Sequence, residues 1–197
     1  MNGFEKRASQ IKEKITKATM DLLRTSEPKK IRIADISSAA QVSQVTIYNY
    51  FGNKDELIRA VFRDFFDNVI QDFEAYMNEG HSLKEQIQHI IGLEKTIYHD
   101  FPPGLIRELL AEDQELSRYL EERYRERAIP LTIRMLQEGK DSGEISEAVS
   151  IDHVLAFIQL YMNQYEFMLS MAQQSEDMDG FLEGMVHIFF YGICGKP

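Results

Sequence analysis

Residues 33–51 read IADISSAAQVSQVTIYNYF, and the parsing of that stretch decides the fold. Ile33, Ile36, Ala39 and Ala40 fall at i, i+3, i+6 and i+7, which predicts a short helix with one apolar face. The small Ala39 and Ala40 let a second helix cross closely. Gln41-Val42 breaks the pattern, and Ser43 carries the hydroxyl of an N-cap for a helix starting at Gln44. Val42 and Ile47 would anchor that helix against the first, leaving Gln44, Val45, Thr46, Tyr48 and Asn49 toward solvent. Such a face suits a DNA groove, because amides pair with adenine edges and hydroxyls with phosphates or bases. The pattern alone equally describes an ordinary helical hairpin with a polar outer side, since helix-turn-helix patterns are short and degenerate.

Charge distribution separates the two. The chain of 197 residues carries −10 overall, which at first argues against nucleic acid. Residues 1–54, however, hold ten Lys and Arg against five Asp and Glu, a balance of +5 that leaves −15 on the rest. A basic head on an acidic body confines phosphate attraction to one end, the end that holds the helix pair.

The run Ala40-Gln-Val-Ser43, Thr46-Ile-Tyr48, Tyr50-Phe51 and Asn53-Lys-Asp-Glu-Leu57 resembles the signature of the tetracycline-repressor (TetR) family of bacterial regulators over roughly residues 10–60. Its most specific part is Val-Ser-x-x-Thr-Ile-Tyr-x-Tyr-Phe-x-x-Lys-Asp-Glu-Leu, where apolar, aromatic and charged positions all agree. Two positions depart from it. Gln41 stands where the family most often has a turn glycine, so a non-Gly residue is expected to hold an unusual backbone conformation. Val45 stands where a small residue often precedes the Thr, which changes what the helix can reach. The resemblance implies DNA contacts from Arg32, Ser43, Gln44, Val45, Thr46, Tyr48, Asn49, Tyr50 and Lys54. Gln44, Thr46 and Asn49 would lie near base edges, with Arg32, Tyr48, Tyr50 and Lys54 on phosphates.

The rest of the chain reads as helices, with no convincing strand pattern and no repeat. Residues 1–6 look frayed, and a helix from Ala8 to Arg24 would cover the short pair, with Lys6, Arg7, Lys12, Lys14 and Lys17 on or near its exposed side. After Gly52-Asn53, a long helix from Lys54 carries Phe62, Phe65, Phe66 and Phe73 and ends at Asn78-Glu-Gly80. Ser82 and Glu85 have capping-box spacing for a helix running to about His99. Phe101-Pro-Pro-Gly104 punctuates, and a short helix from Leu105 to about Glu112 follows. One helix is expected over Gln114–Gly139, kinked at Pro130. Two closing helices, about Ile151–Gln173 and Met178–Gly192, are apolar on more than one side, which suggests one face to the core and one to a second subunit. The architecture is therefore expected to be all-α: a three-helix helix-turn-helix DNA-binding domain over 1–53 and a larger helical effector-binding and dimerisation domain over 54–197.

Nothing in the sequence proposes a reaction. None of the five histidines has a His or Cys at i+3 or i+4, and there is no glycine-rich phosphate loop, nucleophile elbow or HExxH. No catalytic residue, metal or cofactor is expected. The body is rich in Met, Phe and Tyr, which suits both an adaptable apolar cavity and any helical core. His89, Phe157, Tyr161, Met162 and Tyr165 are the candidate effector-binding residues, and His153 shares the apolar helix setting of His89. The apolar runs are too short for a bilayer, residues 1–20 lack a signal-peptide core, and the single Cys194 fits a reducing cytosol, so a cytoplasmic protein is expected. The expected partners are operator DNA, a small-molecule effector and a second copy of the chain. A dimeric ligand-binding or scaffold protein that keeps the fold but no longer reads DNA is the alternative, supported by Gln41 and Val45.

Overall fold

The computed structural model describes residues 3–101 and 104–194, apart from the side chains of residues 4, 91, 94–100, 162, 165, 166, 169, 173, 179, 182, 183, 186, 190 and 192–194. Pro102, Pro103 and the side chain of Cys194 thus lie outside the described residues. Every regular element among those described is helical, as the sequence pattern predicts. Helix α1 spans Gly3–Leu23, so residues 3–6 are helical and not frayed. Glu5 in its first turn complements the positive end of the helix. A 3-10 turn at Pro28–Lys30 connects to α2, Ile33–Ala40, and α3, Gln44–Phe51. Then come α4 (Lys54–Met77), α5 (Leu83–Asp100), α6 (Leu105–Glu112) and α7 (Gln114–Arg123). The last four are α8 (Ile129–Asp141), α9 (Ile151–Asn163), α10 (Tyr165–Gln174) and α11 (Met178–Cys194).

Two expected single helices are each divided. The stretch over Gln114–Gly139 passes through a turn of π-helix at Tyr124–Ala128 before Pro130 enters the first turn of α8. Pro130 has no N–H for the carbonyl of Glu126 and its ring crowds that carbonyl, so the distortion falls ahead of the proline. The stretch over Ile151–Gln173 is broken at Gln164, which leaves helical geometry at φ −107° and ψ 8°.

The chain packs as two compact units, one of residues 1–72 with 92–127 and one of residues 73–91 with 128–197. This packing division cuts α4 near its end, whereas the functional boundary expected from the sequence lies at its start. In the first unit Ile15, Ile36, Ile47, Leu57, Phe62 and Leu116 are fully or almost fully buried in one apolar cluster. Phe101 seals it, 5.4 Å from the Phe62 ring and 5.2 Å from Phe65. Thr19 is buried there as well and donates its hydroxyl to the Ile15 carbonyl at 2.8 Å, which removes the cost of burying it. In the second unit Phe73, Met77, Leu83, Met135, Leu136 and Val154 are buried. The Ser82–Glu85 box forms as its spacing predicts: the Glu85 carboxylate accepts from the Ser82 N–H at 2.9 Å and from its hydroxyl at 2.7 Å.

Polar groups register α4 against α6 and α7 within the first unit. Asp113 accepts the N–H groups of Glu115 and Leu116, at 3.1 and 3.0 Å, and so caps α7. It also takes the Arg59 Nε at 2.6 Å. Burial alone would push this carboxyl up, but the Leu116 N–H and the Arg59 guanidinium together hold it below the usual carboxylate range. Farther along, the Tyr119 hydroxyl donates to Asp67 at 2.7 Å, with the Arg63 and Arg123 guanidiniums 5.2 and 5.1 Å from its ring centre. Arg123 is thus folded into this cluster.

Asp113→Ala removes a cap and leaves Arg59 short of its main partner, so it should lower unfolding free energy by about 1–3 kcal/mol in urea titrations. Because the folded carboxyl sits low, its contribution is complete above the unfolded pKa of about 3.9 and drains away as pH falls through the lower folded value. The gap between wild type and variant should therefore be constant near neutrality and narrow only below about pH 4.

Candidate nucleic-acid interface

The helix pair is held by its turn. Ser43 accepts the Thr46 N–H at 3.0 Å, the N-cap bond its position predicts. Ahead of it Gln41 sits in the left-handed region at φ 54°, ψ 44°, the only non-Gly residue with positive φ among those described. The conformation expected at this non-glycine position is therefore present. Ser37 secures it, donating its hydroxyl to the Val42 carbonyl at 2.6 Å while its own carbonyl accepts the Val42 N–H at 3.1 Å. No periodicity in the sequence marks Ser37 for that task. Ile33, Ile36 and Ala40 are buried as predicted, but Ala39 is exposed. A strict i+3, i+4 path leaves Ala39 outside a stripe as narrow as this one.

Of the residues expected to meet DNA, Gln44, Val45, Tyr48 and Asn49 are exposed on α3, and Ile47 is buried beneath them. The Ser43 and Thr46 hydroxyls lie 2.8 Å apart and hydrogen-bond to each other. Tyr50 is half-buried, with the Lys12 ammonium 5.9 Å from its ring centre, which ties α1 to the recognition helix. Sequence reading missed that link, since it joins helices 38 positions apart. Arg32 is exposed but forks onto Asp35, with Nε to Oδ2 at 3.1 Å and Nη2 to Oδ1 at 3.0 Å. The Arg32 side chain, and after it the Arg32 backbone N–H, hold the Asp35 carboxyl below its ordinary range. Three of the five guanidinium N–H donors stay available to a phosphate.

Lys54 points inward. Its ammonium donates to the carbonyls of Pro28 and Ile31, both at 3.0 Å, so two of its three donors fasten the connector before α2. One donor is left for a phosphate. Asn53 caps α4 by accepting the Glu56 N–H at 2.9 Å. The same connector carries Lys29, which pairs with Glu112 at 2.6 Å and Glu108 at 3.4 Å on α6. Lys12, Lys14 and Lys17 are exposed along α1, as the sequence places them.

The candidate effector residues do not form one group. Phe157 and Tyr161 pack together at 5.3 Å between ring centres, and both lie 5.5 Å from Phe189 of α11. Burial pushes the Tyr161 hydroxyl up, and that hydroxyl reaches the Met185 carbonyl at 3.4 Å. His89 instead stacks on Tyr76 at 3.8 Å, and His81 stacks on the same ring at 4.0 Å. The side chains of Met162 and Tyr165 lie outside the described residues. His153 is exposed and sits at the start of α9, its Nδ1 accepting the Ser150 N–H at 3.3 Å, so it is not set among apolar neighbours. Among the described residues no three His, Cys, Asp or Glu side chains converge as a metal site, and no helix is long and apolar enough to cross a membrane.

Residues 15–61 match the model of the bacterial regulatory proteins, tetR family. A curated relative, the HTH-type dhaKLM operon transcriptional activator DhaS of Lactococcus lactis, is 36% identical over 62 residues. That match spans 32% of this chain and 33% of the relative. The transcriptional regulator FadR of Bacillus subtilis, solved in complex with stearoyl-CoA, has the same fold at a TM-score of 0.63 and 20% identity, over 92% of this chain and 98% of that one. A putative regulator from Saccharomonospora viridis, solved in complex with choline, superposes at 0.71 with 14% identity, over 94% and 98%.

Gln41→Gly should stabilise the protein by up to about 1 kcal/mol, because relief of the left-handed strain exceeds the added entropy of the unfolded glycine. A higher urea midpoint with an unchanged slope is the expected reading.

Proposed function

By residues 15–61 the chain belongs to the tetR family of bacterial regulatory proteins, and from that premise we propose that it is a homodimeric transcriptional regulator, a repressor released from its operator by a small, largely apolar effector. Residues 1–53 are the reading domain and residues 54–197 the effector-binding and dimerisation domain. The observation that carries this is the recognition helix itself: Gln44, Val45, Tyr48 and Asn49 exposed together on a helix whose opposite side is anchored by Ile47. Two such heads would enter successive major grooves of a roughly palindromic site. Gln44 and Asn49 supply amides for base edges, while Arg32, Tyr48, Tyr50 and the remaining donor of Lys54 supply phosphate contacts.

The dimer reading is supported by large apolar side chains left exposed on the last three helices. Leu160 is 62% exposed, Phe167 61% and Ile188 61%, with Met171 and Tyr191 also open. That is too much apolar surface on neighbouring elements for a chain that works alone. The effector reading is supported by the Phe157, Tyr161, Phe189 cluster, whose burial is incomplete at Phe157 and Tyr161. The stearoyl-CoA and choline bound by the two structural neighbours belong to those proteins. They differ so much in size and charge that only a small-molecule ligand is carried over here. No step of this mechanism involves a reaction, a metal or a cofactor.

Titration against a fluorescent duplex from the DNA upstream of the gene should show binding that weakens on the order of 10³-fold or more between about 50 and 200 mM salt. Gln44→Ala with Asn49→Ala should cost sequence preference and leave the salt slope nearly unchanged. Feeble binding to that duplex and to random sequence alike, with no site recovered by selection from a random pool, would mean the head does not read DNA. Separately, Leu160→Glu with Ile188→Glu should convert a dimer to a monomer in sedimentation velocity, and a dimer that persists would move the interface elsewhere.

A further inference from the structure

We propose that Val45 reads the C5-methyl group of one thymine in each half-site, and so sets a base preference that the polar residues of α3 do not. This rests on the DNA-binding reading above. Val45 is 66% exposed, more than Leu160, Phe167 or Ile188. The other exposed residues of α3 are Gln44, Tyr48 and Asn49, so that helix offers no second exposed aliphatic side chain to make a protein-docking patch. At roughly 100° per residue, Ile47, Tyr50 and Phe51 mark the packed side of α3, and Val45 projects about opposite to them. It is the second residue of that helix and its side chain leans toward the N-terminus, the end of a recognition helix that meets base edges.

The neighbouring hydroxyls are partly committed. Ser43 and Thr46 hydrogen-bond to each other, and Ser43 also takes the Thr46 N–H. Beside the one hydroxyl proton this pair leaves over, the first turn of α3 offers a groove the Gln44 amide and the two methyls of Val45. Among the groups that bases display in the major groove, the thymine C5-methyl is the apolar one. A β-branched side chain in a helix keeps nearly one rotamer, so little entropy is lost when those methyls meet it.

The full-length protein is first used to select its preferred duplex from a random pool. Each thymine of the half-site is then replaced in turn by deoxyuridine, in both halves at once, which deletes only the methyl group. At one position wild-type binding should weaken roughly fourfold per half-site, about 15-fold for the dimer. Val45→Ala should bind the thymine duplex more weakly by a similar factor and be indifferent to uridine at that position, while Val45→Thr, which keeps one methyl, should fall between. If wild type and Val45→Ala respond alike to uridine at every position, the assignment is overturned while the DNA-binding reading stands. If selection recovers no preferred duplex, the DNA-binding reading fails and this assignment with it.

Discussion

A single ammonium group registers the head of this protein. Lys54 is the first residue of α4, and its Nζ donates to the carbonyls of Pro28 and Ile31, each at 3.0 Å. Those carbonyls belong to the connector that launches α2, so the helix pair takes its position from α4 through two charge-assisted hydrogen bonds. Such bonds are shorter-ranged and more directional than the contacts of Ile36, Ile47 and Leu57 around them. Removing the ammonium would leave the two carbonyls to find other donors, and the apolar contacts alone do not specify an angle. Lys29 and Arg59 extend the same scheme to α6 and α7, where Glu108, Glu112 and Asp113 receive them. The acidic corner of the body is thus already engaged with basic groups around the head.

This changes the meaning of the head's positive charge. Arg24, Lys29, Lys30 and Arg32 each have a carboxylate within 3.4 Å, and Lys54 is turned onto carbonyls. At least five of the ten cations therefore serve the protein's own structure. Exposed pairs are worth little individually, so a phosphate can compete for Arg32, whose side chain is 80% exposed. Any long-range attraction of DNA would fall more heavily on the lysines of α1, of which Lys12 lies against Tyr50 of α3. On the proposed DNA-binding reading, affinity and sequence preference would thus fall to different helices, α1 for charge and α3 for pattern.

What could be read from the sequence was local. The Ser43 cap, the Ser82–Glu85 box, the helix pair and the strained turn at Gln41 all follow from residues within four positions of one another, where propensity and capping decide. The break at Gln164 and the early start of α1 depend on what packs nearby, which periodicity does not encode. Pro130 announced a distortion, yet the π-turn lies before it because the carbonyl that loses its donor is four residues back. Lys54 was legible as a head-group lysine but not in its direction, since a four-carbon stem reaches inward or outward with equal ease. For the effector, the sequence placed Phe157 and Tyr161 one turn apart but could not bring Phe189 to them from α11, and it could not show His89 stacked elsewhere, on Tyr76.

Helix α4 has the length that the proposed effector switch would need. It runs through 24 residues, about 36 Å, with its first part in the compact unit that contains the helix pair and its last residues in the other. A hydrogen-bonded helix transmits a tilt along its axis with little loss. A rotation of about 5° about the Met77 end would carry the Lys54 end roughly 3 Å, close to the ~3.4 Å rise of one base pair. Because Lys54 grips the connector, α2 and α3 would move with it. An effector needs only to prefer the tilted state, since differential affinity for two conformations is sufficient to shift their populations. On the function proposed above, a head displaced by one base step would present Gln44, Val45 and Asn49 to the wrong edges. Loss of recognition would then need only a small change of angle, without any unfolding of the reading helix.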